Sequence, residues 1–203
     1  MVLVDIGNTN IHVWEDGKIY DLKKAVKFND KDLYFISVNE EKKEKFLEKN
    51  PNAFDLEKVV KFDTSYEGLG IDRIMACKTI KDGVVVDAGS AITLDIMQEG
   101  MHLGGVIFPG ISSLKEAYAK ISPKLDTEFT EVDFKKLPHN TKEAVSYGGI
   151  GSLLLSIEFF RKNKKLYCCG GDGKFIAKKL NGIYLKDLVF RGMIKTIEEM
   201  EKK

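Results

Sequence analysis

Apolar and polar positions change places over short distances at the start of this chain. "MVLVDI" (1–6) is apolar until Asp5, "NIHVWED" (10–16) alternates with Ile11 and Val13 on one side, and "GKIYDL" (17–22) follows at once. Period-two alternation predicts strands, and Asp16-Gly17 between two such runs predicts a hairpin turn. Further strands are predicted at "DLYFISV" (32–38) and "EKVVKFD" (57–63). Between them "EEKKEKFLEKN" (40–50) has few apolar residues and good helix formers, so it reads as an exposed helix. "GIDRIMACKTIKDG" (70–83) reads as a helix carrying Ile74, Ala76, Cys77 and Ile80, stopped at Asp82-Gly83.

The opening order then restarts. "VVVDAG" (84–89) is an apolar strand ending in Asp87 and a glycine turn, "AITLDIM" (91–97) is a second strand, Glu99-Gly100 a tight turn, and "MHLGGVIF" (101–108) a third strand. A helix at 111–120, a polar stretch at 121–140 and a long helix at 141–163 follow, the last with Asn140 as N-cap and Glu143 as capping-box partner. Gly148, Gly149 and Gly151 each cost that helix roughly 1 kcal/mol against Ala, which predicts close approach of another helix or a ligand. "KKLYCCGGDGKFIAKKL" (164–180) is a strand, a glycine turn and a helix, and "RGMIKTIEEMEK" (191–202) is a last helix. The repetition predicts two lobes of related topology: 1–83, with the helix at 192–203 packing back on it, and 84–191.

Charge narrows the partners. In 203 residues, 32 Lys+Arg balance 31 Asp+Glu, which gives no general field for nucleic acid or an anionic membrane. No apolar run reaches the ~18 residues of a membrane span, and no basic segment precedes the first strand as in a signal peptide. Cys77, Cys168 and Cys169 lack metal-ligand spacing and read as reduced thiols in a cytoplasmic protein. His12, His102 and His139 are far apart and form no zinc pattern.

The chemistry sits in the turns. A strand that ends in "DIGNT" or "DAGSA" leaves backbone N–H groups pointing into a glycine turn, and such nests bind phosphate oxygens. Asn8, Thr9 and Ser90 add side-chain donors. Asp5 and Asp87, at equivalent strand ends, are expected to face a cleft between the lobes and to hold a cation directly or through water. The "GGDG" turn (170–173) is expected to face the same cleft and to accommodate an adenine ring or its ribose. Asp72 and Arg73, after Gly70 at a helix start, combine a proton acceptor with a two-pronged grip for a carboxylate. No Walker or dinucleotide fingerprint occurs.

In order along nearly the whole chain, "DIGNTN" (5–10), "GIDR" (70–73), "DAGSAITLD" (87–95), "GGVIFPGI" (104–111), "NT" (140–141) and "GGDG" (170–173) resemble the motifs of type III pantothenate kinases. These are bacterial enzymes of the sugar kinase and actin-like ATPase superfamily. The resemblance implies an α/β fold of two ribonuclease H-like lobes with mixed five-stranded sheets, the duplication of the actin-like ATPases. It implies transfer of the ATP γ-phosphate to the 4′-hydroxyl of pantothenate, giving 4′-phosphopantothenate in the first step towards coenzyme A. It also implies roles: Asp5, Ile6, Gly7, Asn8, Thr9, Asn10, Ile11 and His12 on ATP, with Asp5 oriented to Mg²⁺ through water; Ser90 on ATP; Asp87 on a monovalent cation, K⁺ or NH₄⁺. Asp72 is the implied proton acceptor. Tyr66, Gly70, Ile71, Asp72, Arg73 and Thr141 are the implied pantothenate contacts, Arg73 opposite its carboxylate. Serine stands at position 90 where the family usually has threonine, and the hydroxyl is kept. The family is homodimeric, and the glycine-bearing helix at 141–162 is the candidate interface. The alternatives are a non-catalytic nucleotide-binding regulator and another hydroxy-acid or sugar kinase of the same superfamily.

Overall fold

The computed structural model describes residues 1–29 and 32–202 of the chain. Two compact units group these residues: Met1–Lys81, Met97–Gly104 and Asp187–Lys203 in the first, Asp82–Ile96 and Gly105–Lys186 in the second.

The first unit is built on strands β1 (Val2–Ile6), β2 (Ile11–Glu15), β3 (Lys18–Leu22), β4 (Leu33–Ser37) and β5 (Phe54–Asp55), in the sheet order β3-β2-β1-β4-β5. β1 runs antiparallel to β2 and parallel to β4. Asp16 (φ 48°) and Gly17 (φ 80°) both take the left-handed conformation that a tight hairpin requires, as the Asp-Gly pair predicts. Val2, Val4 and Ile6 point to one face, where Phe35 and Phe46 close an apolar core. Phe46 is the one fully buried residue of helix α1 (Glu40–Lys49), which is otherwise the exposed helix its composition predicts. Helix α2 (Ile71–Cys77) packs on β4 and against the C-terminal helix of this unit.

The second unit repeats the plan. Its strands, β6 (Gly83–Ala88), β7 (Ala91–Gln98), β8 (Met101–Pro109), β9 (Leu166–Cys169) and β10 (Ile183–Tyr184), lie in the order β10-β9-β6-β7-β8, the mirror listing of the first sheet. β9 is parallel to both β6 and β10, as β4 is to β1 and β5. The α/β class with two mixed five-stranded sheets is therefore as the resemblance implies. Val84, Val86 and Ala88 face a core closed by Leu153, Leu154 and Ile157 of helix α5 (Ser152–Arg161) and by Ile176 of helix α6 (Gly173–Lys179). Helix α3 (Ile111–Ile121) and helix α4 (Thr141–Ser146) complete the unit, and helix α7 (Leu188–Glu201) belongs to the first.

Three elements differ from the sequence reading. Residues 57–63 form no strand: β5 pairs with β4 through two residue pairs only, and the Asp55 carboxylate then accepts from the Glu57 N–H, which turns the chain into a 3₁₀ turn, Leu56–Lys58. α2 ends at Cys77, so Ile80 lies beyond it, and Gly83 opens β6 instead of closing a helix. The long helix at 141–163 is interrupted by a π-helical turn, Tyr147–Gly151. A Cβ on Gly148 would lie 2.6 Å from the Tyr118 hydroxyl and one on Gly149 3.0 Å from the Phe129 ring. The close approach these glycines permit is made by α3 and the segment after it, within the unit.

Candidate active site

The strand ending at Asp5 sets the geometry of the first turn. Alternation puts Asp5 on the face opposite Val4 and Ile6, beside His12 of β2 and Ile36 of β4. The turn that follows is closed by the Gly7 N–H donating to Asn10 O at 3.0 Å. A Cβ on Gly7 would lie 3.1 Å from that oxygen, a contact that only a shift of the turn would relieve. His12 is not packed away: its Nδ1 lies 2.6 Å from Asp21 Oδ1 on β3, and both side chains are substantially exposed.

Three residues around this turn escaped the sequence reading. Asn39, the N-cap of α1, accepts from the Lys42 N–H and donates through Nδ2 to Asn8 Oδ1 at 3.1 Å. Lys42 Nζ donates to Gly7 O at 3.1 Å and to Asn8 O at 2.6 Å. Lys23 Nζ donates to Asn10 Oδ1 at 2.8 Å. Their partners in the turn lie more than ten residues away, so no local pattern ties them to it.

The same unit carries the "GIDR" group. Gly70 is the extended N-cap of α2, and a Cβ there would lie 2.6 Å from Asp72 Oδ1. That oxygen accepts from the Arg73 N–H at 2.8 Å, which holds the half-buried carboxylate at the start of the helix. Arg73 is 5% exposed, so its side chain is buried. Its guanidinium stands 4.7 Å from the centre of the Tyr66 ring, a cation–π distance. The Tyr66 N–H donates to Thr64 Oγ1 at 3.0 Å, Thr64 Oγ1 lies 2.7 Å from Nδ1 of the fully buried His102, and the His102 ring meets Tyr66 edge-on. Ile71 is buried as well.

In the second unit three turns come together. Asp87 is next to last in β6 and in register with Cys169 of β9. The Gly89 N–H closes on Ala91 O, and the Gly110 N–H donates to Ser90 O at 3.1 Å. Gly110 sits so close that a Cβ would be 2.5 Å from Ser90 O. Gly170, at φ +79°, would bring a Cβ within 2.5 Å of both Ala88 O and Asp87 Oδ1. The "GGDG" turn therefore abuts the Asp87 turn. Burial pushes the Asp172 carboxyl up, and burial with the nearby Cys169 and Asp87 pushes the Tyr184 phenol up. Tyr184 is an addition to the residues predicted from sequence; Asp172 lies in the "GGDG" turn already singled out there. Thr141 is exposed at the first position of α4, where Asn140 accepts from the Glu143 N–H as the capping box predicts, while the Glu143 carboxylate accepts from Asn140 Nδ2 and from the His139 N–H.

Asp87 Oδ1 and Ala88 O are hard oxygens, the donor type an alkali cation takes; Gly170 packs against both, and Ala88 O also accepts from the Asp172 N–H at 3.0 Å. Among the described residues no three His, Cys, Asp or Glu side chains cluster as a metal set. Among them too, no helix is long and apolar enough to cross a membrane.

The sequence profile of type III pantothenate kinases matches residues 35–162. The chain belongs to the type III pantothenate kinase family. A type III pantothenate kinase of Wolinella succinogenes is 46% identical over all of this chain and 99% of its own length. One from Campylobacter jejuni is 48% identical over 98% of this chain and 97% of its own, and one from Helicobacter hepaticus 43% over 98% and 99%. A crystal structure from Campylobacter jejuni, of a conserved protein assigned by name to the Baf family of transcriptional activators, superposes with a TM-score of 0.88 at 44% identity over the full length of both chains. These type III pantothenate kinases match end to end, so both five-stranded sheets lie within the shared length.

Proposed function

We propose that this member of the type III pantothenate kinase family transfers the γ-phosphate of ATP to the 4′-hydroxyl of pantothenate, yielding 4′-phosphopantothenate for coenzyme A synthesis. The observation that carries the reading is the pairing at the start of α2: a half-buried carboxylate, Asp72, next to a buried guanidinium, Arg73, braced by Tyr66. A substrate with a carboxylate at one end and a hydroxyl to be deprotonated at the other needs both groups.

The remaining roles follow from chemistry. The turn from Asp5 to His12 offers amides and the Asn8 and Thr9 side chains to the phosphates, with Asp5 towards magnesium through water. Ser90, held by Gly110, offers its hydroxyl to ATP. Asp87 with Ala88 O holds K⁺ or NH₄⁺. Gly70 and Ile71 shape the pantothenate pocket, and Tyr66 and Thr141 contact the substrate. Magnesium, when bound, neutralises charge on the β- and γ-phosphates. Asp72 accepts the hydroxyl proton as the oxygen attacks, and Arg73 fixes the far carboxylate. A homodimer belongs to the same reading. Its support is the outer face of α5, where Leu155 is 46% and Phe159 73% exposed. Phe159→Glu is expected to give a monomer by analytical ultracentrifugation.

The test is ADP release by the purified chain. We expect release only with pantothenate and K⁺ or NH₄⁺ present, and Asp72→Asn to lower kcat on the order of 10²–10⁴-fold while ATP binding persists. The name of the Campylobacter jejuni structure favours a second reading, a nucleotide-binding regulator without turnover. ATP binding with no pantothenate-dependent ADP release would establish that reading and remove this one.

A further inference from the structure

We propose that Lys42 is a positioning residue for the ATP turn: its ammonium grips the outer side of "DIGNTN" and aims the amides on the inner side at the phosphates. This rests on the reading of the Asp5–His12 turn as the phosphate site.

The geometry begins with the helix cap. Asn39 stands in extended backbone and accepts from the Lys42 N–H, which fixes where the Lys42 stem leaves α1. The same Asn39 side chain reaches Asn8 Oδ1, so the start of the helix is tied to the turn at two levels. From there Lys42 Nζ reaches two consecutive carbonyls, Gly7 O at 3.1 Å and Asn8 O at 2.6 Å. Among the described residues there is no cis peptide bond. In a planar trans peptide the C=O and the N–H of the next residue point in opposite directions. A cation fixed on Gly7 O and Asn8 O therefore directs the N–H groups of Asn8 and Thr9 away from itself, both to the same side. The Gly7 N–H is directed elsewhere, since it closes the turn on Asn10 O.

Two physical effects result. The turn is held in its anion-binding arrangement before ATP arrives, so less ordering is required on binding. Withdrawal of electron density at each carbonyl also makes the N–H on the far side of the same peptide a better donor, the cooperative strengthening of linked hydrogen bonds. Lys42 acts through the backbone and need not touch the nucleotide.

The experiment compares Lys42→Met and Lys42→Arg with Lys49→Met, which removes the same charge from the other end of α1. Initial rates are measured with Mg·ATP varied at saturating pantothenate and the reverse, and Mg·ATP affinity by calorimetry. Lys42→Met is expected to lower kcat/KM for ATP, and ATP affinity, about ten- to a hundredfold, with the pantothenate KM within about twofold of wild type. Lys42→Arg is expected to recover most of the loss, and Lys49→Met to show none. Wild-type kcat/KM for ATP in Lys42→Met, or an equal loss for both substrates that arginine does not rescue, overturns the proposal. Asp5→Asn separates the two levels. Loss of ATP affinity in Asp5→Asn but not in Lys42→Met removes Lys42 alone, whereas unchanged affinity in both removes the phosphate-site reading with it.

Discussion

The guanidinium of Arg73 rests on the face of Tyr66, 4.7 Å from the ring centre, and is itself buried. The Tyr66 backbone N–H is in turn tied through Thr64 to the buried His102, whose ring meets the Tyr66 ring edge-on. A guanidinium presents its N–H donors in the plane and not on its faces, so a ring against one face fixes that plane and the directions in which the donors point.

The first prediction separates the ring from its hydroxyl. Tyr66→Phe keeps the face and is expected to leave the pantothenate KM within about threefold of wild type, while Tyr66→Leu removes a cation–π contact of about 1–2 kcal/mol and raises that KM about five- to thirtyfold. The ATP KM is expected to stay put in both. Steady-state kinetics with pantothenate varied makes the check. A large effect of Tyr66→Phe would instead mean that the phenol oxygen, not the ring, meets the substrate.

The second prediction concerns how α2 is held. α7 crosses it at Gly192, where a Cβ would stand 2.0 Å from Met75 O. Thr196 Oγ1 and Lys195 Nζ also reach back, to Met75 Sδ and Lys78 O. Backbone on both sides leaves nothing to rotate away. Gly192→Ala is expected to destabilise by about 2–4 kcal/mol and to lower Tm by roughly 5–15 °C. Thermal denaturation followed by circular dichroism measures this.

How much of this was legible follows from where each signal's partner lies. The Asp16-Gly17 and Glu99-Gly100 turns carry their own cause: Asp16 and Glu99, at φ 48° and 53°, are each followed by a glycine at positive φ. The strands "VLVDI" and "VVVDA" state the duplication outright, each carboxylate on the face opposite its core. β5 and β10 could not be read, because two-residue strands have no period; each exists only through its parallel neighbour. The Asp5, Asp72 and Asp87 turns were visible because a close anion approach needs glycine at fixed offsets. Lys42, 34 residues from Asn8, and His102, 38 residues from Thr64, were not, since a long-range contact leaves no local trace.

The third prediction tests the Asp87 turn through its neighbour. Gly170→Ala would place a methyl 2.5 Å from Asp87 Oδ1 and Ala88 O, at a backbone φ of +79° that disfavours any side chain. If these oxygens hold the monovalent cation, the methyl displaces it. The variant is expected to need at least about tenfold more K⁺ for half-maximal rate, or to lose activation altogether. Gly171→Ala, with nothing within 4 Å of its Cβ, is expected to retain the wild-type K⁺ dependence. Rates across a K⁺ titration at fixed ionic strength decide it.

The last prediction follows from Cys168, a core residue of β9. Burial pushes its thiol up to about 12, from an ordinary value of 9.0, with Arg161 opposing slightly. Burial thus favours the neutral thiol in the folded chain. Below pH 9 both folded and unfolded states keep the proton, and the contribution to stability is fully present. Between about pH 9 and 12 the unfolded chain loses the proton while the folded one keeps it, so unfolding becomes easier by about 1.4 kcal/mol per pH unit. Urea denaturation from pH 8 to 11 is expected to show this decline, with Cys168→Ala giving a shallower one above pH 9. The buried neutral thiol is likewise expected to resist a thiol reagent at pH 8 until the chain is unfolded. An alkaline limb unchanged by Cys168→Ala would show that the thiol ionises equally in both states, and that the β9 core admits water.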